Sequence, residues 1–295
     1  MINVPEPRPS IRARLSALAQ RLGLLDRGQQ LIMQRASQLR LPFKALPPPK
    51  ISICWNNEPQ LQRLVDLPRG ALSGPVQEDK SDAHAMLIRL VKMEEVHIPE
   101  FDLRQIKGLS NHTDKLAQYS SLEDLAASEL CRKIRIISYK DFVRTLSLAL
   151  PGYLAGDNIH LRQASWLKER YFWAGEQHSE AFASAIAYAR LRKLEIKLPA
   201  TLQSYRLSEQ GLKALQQHYH VLAMPDAAWS NPDFMALLLD SGLPYARLSL
   251  NNSNTSPEVL MLPKRSAQSA ALGEGLLVAG APDVVGYLRQ LNTQS

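Results

Sequence analysis

The chain of 295 residues, 45% of them hydrophobic, is long enough for one large domain or two ordinary ones and too apolar for disorder throughout. Its two cysteines, Cys54 and Cys131, exclude a disulfide framework and a cysteine-built zinc site. The net charge of +7 is unevenly placed, because residues 1–50 hold nine basic and two acidic side chains and the other 245 hold 26 of each sign.

A basic arm on a neutral body suits nucleic acid or another acidic partner. No apolar run approaches the roughly 18 residues of a membrane span, so no transmembrane segment is expected. The opening MINVPEPRPS lacks the apolar core of a secretory leader, and a cytoplasmic location is expected.

The arm, residues 1–41, has helical periodicity. Ile11, Leu15, Leu18, Leu22, Leu25, Ile32, Ala36 and Leu39 fall on one stripe, with Ser10 as the N-cap. Gly23 and Gly28 each weaken a helix by about 1 kcal/mol relative to Ala, so a break near Asp26 fits as well as one rod. Arg12, Arg14, Arg21, Arg27, Arg35 and Arg40 are the candidate contacts to nucleic acid or an acidic protein. The apolar stripe would also serve a homo-oligomer. Residues 42–50, with Pro42, Pro47, Pro48 and Pro49, read as a linker, since proline fixes φ and removes an amide donor. Residues 51–295 then form one α/β domain.

Within that domain, residues 51–55 (ISICW) read as a strand and 66–83 as an exposed loop. Residues 86–98 fit helix and strand equally. Ser121 with Asp124, and Ser138 with Asp141, carry the pattern of a capping box at two helix starts. Between them IRIIS, residues 134–138, reads as a strand. Strands follow near 159–161 and 170–174, then a helix over 178–192 and an extended run over 196–207. A helix begins near Ser208, HVLAM (220–224) is a strand, and Asn231-Pro232 opens a further helix. Residues 245–250, 259–262 and 276–279 read as short strands, and 282–291 as a closing helix. Gly273, Gly275 and Gly280 read as turns around the last strand, with no phosphate-loop spacing. Helices alternating with strands predict an α/β or α+β fold, a mixed sheet with packed helices.

The sharpest local feature is an aromatic strand, Tyr171-Phe172-Trp173, ending at Gly175 before a turn and a helix. Phe182, Ala185, Ile186 and Ala189 share one helix face, and Ala181, Ala183 and Ala187 let the helix approach a sheet closely. Free amides at a helix start form an anion site, here the turn Gly175, Glu176, Gln177, His178 and Ser179. Glu176 and His178 are the acid–base candidates; alternatively Glu176 caps amides and His178 packs against Trp173. His178, Ser179 and Glu180 are immediate neighbours, whereas nucleophilic triads are assembled from separate segments. His218 and His220 read as surface histidines at a helix end, and neither a cofactor nor a metal site is expected.

This segment, about residues 132–224, resembles the ParB/sulfiredoxin-like superfamily. Its members share a strand, a glycine turn, an alanine-rich helix and a strand opening with an apolar–Pro pair. Here these are Gly175 to His178, then Ala181, Ala183 and Ala185, then Leu198-Pro199-Ala200, with Leu207-Ser208 opening the next helix. The resemblance implies that fold. In ParB proteins the turn's arginines hold a nucleotide triphosphate; Gln177, His178 and Glu180 stand there in this chain. Glu176 stands where sulfiredoxins carry their nucleophilic cysteine. The expected function is a non-catalytic binding protein with a ParB-like core and a basic N-terminal arm. Two alternatives stay open: an enzyme or nucleotide-binding protein using the Gly175–His178 turn, and an oligomerising interaction protein.

Overall fold

The computed structural model describes residues 27–56, 59–110, 115–175, 177–239, 242–249 and 257–293. Ser10, Arg12, Arg14, Arg21, Gly23, the stripe from Ile11 to Leu25, and Glu176 lie outside the described residues. In chain order the elements are α1 (Arg27–Ser37), β1 (Leu72–Ser73), α2 (Gln77–Leu87), β2 (Val91–Asp102), β3 (Ile106–Leu109), α3 (Leu122–Ala126), α4 (Tyr139–Ala149), β4 (Ile159–Ala164) and β5 (Tyr171–Trp173). They continue as α5 (Ser179–Arg192), β6 (Lys197–Leu207), α6 (Glu209–His218), β7 (Tyr219–Met224), α7 (Pro232–Leu239), β8 (Ala246–Leu248), β9 (Glu258–Pro263), α8 (Ala267–Ala279) and α9 (Val284–Thr293). The fold is α/β, with two sheets and packed helices.

The chain divides into two compact units. The first takes the described residues up to Leu46, Leu67–Leu87 and Leu212–Tyr287; the second takes Pro47–Asp66, Ile88–Gly211 and the chain from Leu288 onward. The proline-rich 42–50 contains the first crossing, but residues 51–295 are shared between both units.

The first unit is built on an antiparallel sheet of order β1-β8-β9-β7. Strand β7 is buried along its whole length, which matches its unbroken apolar run. Leu222, Leu260 and Leu262 meet Phe234 and Leu237 of α7 and Leu272 and Leu276 of α8 in one core. Ile32, Met33, Ala36 and Leu39 join the same core, so the described part of the N-terminal stripe is occupied within its own unit and is not offered to a second chain.

Two expectations for this unit are corrected. Residues 276–279 belong to helix α8, not to a strand. Its N-cap Ser266 accepts from the Ser269 amide through Oγ at 3.3 Å, and Gly280 ends it with φ 106°. Gly273 and Gly275 therefore lie inside a helix, where each replaces a side chain that would not fit. A Cβ on Gly275 would lie 2.6 Å from Ala36 Cβ and from the Met33 carbonyl, and one on Gly273 would lie 2.6 Å from the His220 ring. Residues 66–83 are not one loop either, since β1 and the start of α2 fall there. Polar α2 is held by charge: its buried Asp79 and its Asp82 both pair with Arg265, at 2.6 and 2.5 Å.

The second unit carries a mixed sheet of order β2-β6-β4-β5-β3. β2 with β6 and β4 with β5 run antiparallel; β4 with β6 and β3 with β5 run parallel. The ambiguous 86–98 segment is split, α2 ending at Leu87 and β2 beginning at Val91. Strand β2 borders the sheet, pairing in register from Val91↔Leu207 to Ile98↔Ala200 before a shift to Phe101↔Leu198. Pro99 sits in that shift, where a missing amide does least harm.

Helices α4 and α5 bring Phe142, Leu146, Phe182 and Ile186 onto Leu161 and Leu202 of the sheet. The Ser138 box is complete: Ser138 Oγ accepts from the Asp141 amide, and the Asp141 carboxylate accepts from the Ser138 amide. At α3 only half forms, because the Asp124 carboxylate accepts from Ser120 Oγ. Two expected strands are absent. Residues 51–55 meet β3 at the single Cys54–Leu109 bridge. Residues 134–137 are irregular, with Ile134 and Ile136 anchored on the core and Ser138 committed to its cap.

Candidate functional site

Strand β5 ends beside β3 and β4. The Ser110 amide donates to the Trp173 carbonyl at 2.7 Å, and the Ala174 amide donates to the His160 carbonyl at 2.9 Å. The Trp173 ring stacks on Phe182, centroids 4.1 Å apart and planes 14° apart. That ring lies against Gly175 and leaves no room for a Cβ there, so the glycine admits the indole. Trp173 thus packs directly against Gly175.

The corner does gather Gly175, Gln177, His178 and Ser179. His178 enters α5 with a left-handed φ of 55° and makes no side-chain cap. Gln177 and His178 are exposed, whereas Ser179 is buried and its Oγ has no hydrogen-bond partner among the described residues. Trp173 takes Phe182 as its stacking partner. Cys131 lies on the flank, its Sγ 3.7 Å from the Glu180 carbonyl, and burial pushes its thiol pKa up. Such a thiol is a poor nucleophile.

In the first unit, Arg27, Arg35 and Arg40 are exposed. Arg35, Gln38, Leu39 and Arg40 border a cavity of about 410 Å³ with Asn231 and Asp233. Asn231 caps α7, its Oδ1 accepting from the Phe234 amide at 2.9 Å. Neither Arg35 nor Arg40 makes an ion pair among the described residues. His220 is buried on β7 with the Glu274 carboxylate 3.8 Å away, which corrects its reading as a surface residue; His218 closes α6, its Nδ1 2.8 Å from the Ala214 carbonyl. Among the described residues no group of three or more His, Cys, Asp or Glu is placed to hold a metal ion. No helix among them is long and apolar enough to cross a membrane.

In the second unit, a cavity of about 610 Å³ lies at the start of β5, bordered by Arg104, Lys107, Lys168, Arg170, Tyr171 and Arg190. Sequence pattern marks none of these as a site residue, because they come from three separated stretches. Two consecutive positive-φ residues, Lys168 and Glu169, shape its mouth.

Residues 96–295 match the family model described as Family of unknown function (DUF6685). The chain belongs to that family. No curated protein and no solved structure matches. The DUF6685 region includes the Gly175 turn and the whole 610 Å³ cavity, whereas Arg35 and Arg40 precede it.

Proposed function

We propose that this DUF6685 protein is a non-catalytic, cytoplasmic binding protein with a ParB-like core, and that its basic N-terminal segment contacts nucleic acid or another acidic partner. One observation carries the reading: the whole charge excess of +7 resides in residues 1–50. The packing of α1 supports it, since burial of Ile32, Met33 and Ala36 anchors the helix while Arg35 and Arg40 face outward beside a cavity.

The test is a titration with duplex and single-stranded DNA at several salt concentrations. Removing residues 1–50 would also remove core side chains, so the variant replaces Arg12, Arg14, Arg21, Arg35 and Arg40 by Gln. Each lost phosphate contact lowers the salt slope by about 0.9. An unchanged affinity and slope would sink this reading.

A second reading places an anion at the Gly175–Ser179 turn. It is favoured by the α5 start, where His178 gives no side-chain cap and the buried Ser179 Oγ lacks a partner among the described residues. Thermal shift with nucleotides tests it; a ligand at a hundredfold excess over its Kd adds about 2.7 kcal/mol.

A further inference from the structure

The cavity at the start of β5 has a charge balance unlike the rest of the second unit, and it involves no residue of the N-terminal segment. The chain reaches β5 through Lys168 and Glu169, with φ of 57° and 51°. Side chains adopt this region at a cost, and such strain persists only where the surroundings enforce it. The enforcing group is Gln163, a buried residue of β4 whose Nε2 donates to the Glu169 carbonyl at 2.6 Å. Lys168 and Glu169 are exposed at the mouth, and Arg170 next to them is half-buried.

The cations divide into two sets. Arg104 chelates Asp102 through Nε and Nη2, with contacts of 2.6 to 3.0 Å, so those two charges cancel in place. Arg190 pairs with Glu123 at 2.5 Å and donates to the Arg104 and Ile106 carbonyls. Arg170 instead donates to two neutral acceptors, the Ser52 and Lys107 carbonyls, each at 3.0 Å, with its guanidinium 5.4 Å from the Phe172 ring centre. Among the described residues no carboxylate pairs with Arg170, and burial lowers its pKa. Lys107 and Lys168 are exposed and make no ion pair among the described residues.

Three cations thus face one exposed carboxylate, Glu169, leaving an excess of two positive charges. A monocarboxylate ligand would supply half of the complement, whereas a phosphate monoester carries about −1.5 to −2 at pH 7. The volume of about 610 Å³ falls within the roughly 300–1,000 Å³ of small-molecule sites. Tyr171, edge-on to Phe101 at 5.0 Å, gives the cavity an apolar wall for the body of such a molecule. We propose that this cavity binds a small phosphorylated molecule, its phosphate held by Lys107 and Lys168 with Arg170 supplying charge behind them.

The test is calorimetric titration of the full chain with inorganic phosphate and pyrophosphate, set beside an oligonucleotide lacking terminal phosphates. Saturable one-to-one binding of pyrophosphate is expected. Lys107→Ala with Lys168→Ala should weaken it about tenfold or more at an unchanged Tm, both lysines being exposed. Lys168→Glu alone should weaken it too, and Arg35→Gln with Arg40→Gln should leave it unchanged. That last pair separates this cavity from the N-terminal segment. Absence of saturable binding, full affinity in the double lysine variant, or binding of the oligonucleotide alone would each overturn the assignment.

Discussion

Arg265 in the first unit and Arg170 in the second are held in different ways. In the first, Arg265 takes the carboxylates of Asp79 and Asp82, and Arg247 takes Glu258 while lying 3.9 Å over the Trp229 ring. In the second, Arg170 is held by the carbonyls of Ser52 and Lys107. A carboxylate cancels a guanidinium charge, whereas a carbonyl offers only a dipole and leaves the charge standing. The same contrast runs through the packing. Gly275 brings α8 onto α1 and Gly273 brings it onto β7 in the first unit, while in the second α5 is fixed by aromatic stacks, Trp173 on Phe182 and Phe142 on Tyr188. The first unit uses glycines to bring its elements close; the second rests on rings and keeps a cationic cavity.

The largest expected effect tests the aromatic half of this contrast. Phe182→Ala should destabilise the second unit by about 3–5 kcal/mol, as ring deletions in cores do. Cys54 and Cys131 both lie in that unit, buried and with thiol pKa values raised by burial. Thiol labelling during denaturant unfolding therefore follows this unit, and the variant should label at lower denaturant. Next comes the glycine contact: Gly275→Ala should cost the first unit about 1–3 kcal/mol by overpacking against Ala36 and Met33. Its effect should appear in the Trp229 fluorescence of a variant lacking the other tryptophans, with the thiol profile unmoved. Arg265→Met should cost a similar 1–3 kcal/mol by stranding the buried Asp79, read as a lower denaturation midpoint.

Much of the scaffold behind these predictions is written locally. The Ser138 cap, the Asn231 cap of α7, and the alternating β6 each depend on residues within a few positions, and each is found where its pattern sits. What escaped is non-local. Residues 276–279 read as a strand because α8 packs on several sides and its apolar residues lose a single-face rhythm. Residues 51–55 have the composition of a strand, yet their ladder to β3 stops at one bridge, Cys54–Leu109, while the Ile53 amide turns to the Tyr119 carbonyl. The groove was hidden for a related reason: Lys168 and Glu169 are not residues that announce positive φ, and a buried Gln163 enforces it from another strand.

Smaller effects sharpen the contrast further. Ser138→Ala should lower stability by about 1 kcal/mol through loss of the α4 cap, measurable by denaturant titration. The pH response of the second unit has a fixed sign. Burial pushes the Asp102 and Glu123 carboxyls up, but hydrogen bonds from Arg104 and Arg190 outweigh it and hold both below ordinary values. Their stabilisation is complete above the unfolded values of about 4 and is lost as pH falls through the folded ones. Denaturation midpoints at pH 6 and pH 3 should show that fall, and Arg104→Gln with Arg190→Gln should flatten it.

Strand β2, at the border of the mixed sheet, has a consequence for how the protein behaves in concentrated solution. The outward-pointing amides and carbonyls of a twelve-residue edge strand are a template on which another chain could stack. Lys92, Glu94, Glu95, His97 and Glu100 punctuate that ladder with charge and polarity, and Pro99 denies an incoming strand one of its amides. Replacing Glu94 and Glu95 by Val and Pro99 by Thr would strip those guards from a β-rich run that begins Val-Lys-Met. Such a variant should form thioflavin-positive fibres under conditions in which the parent sequence stays clear.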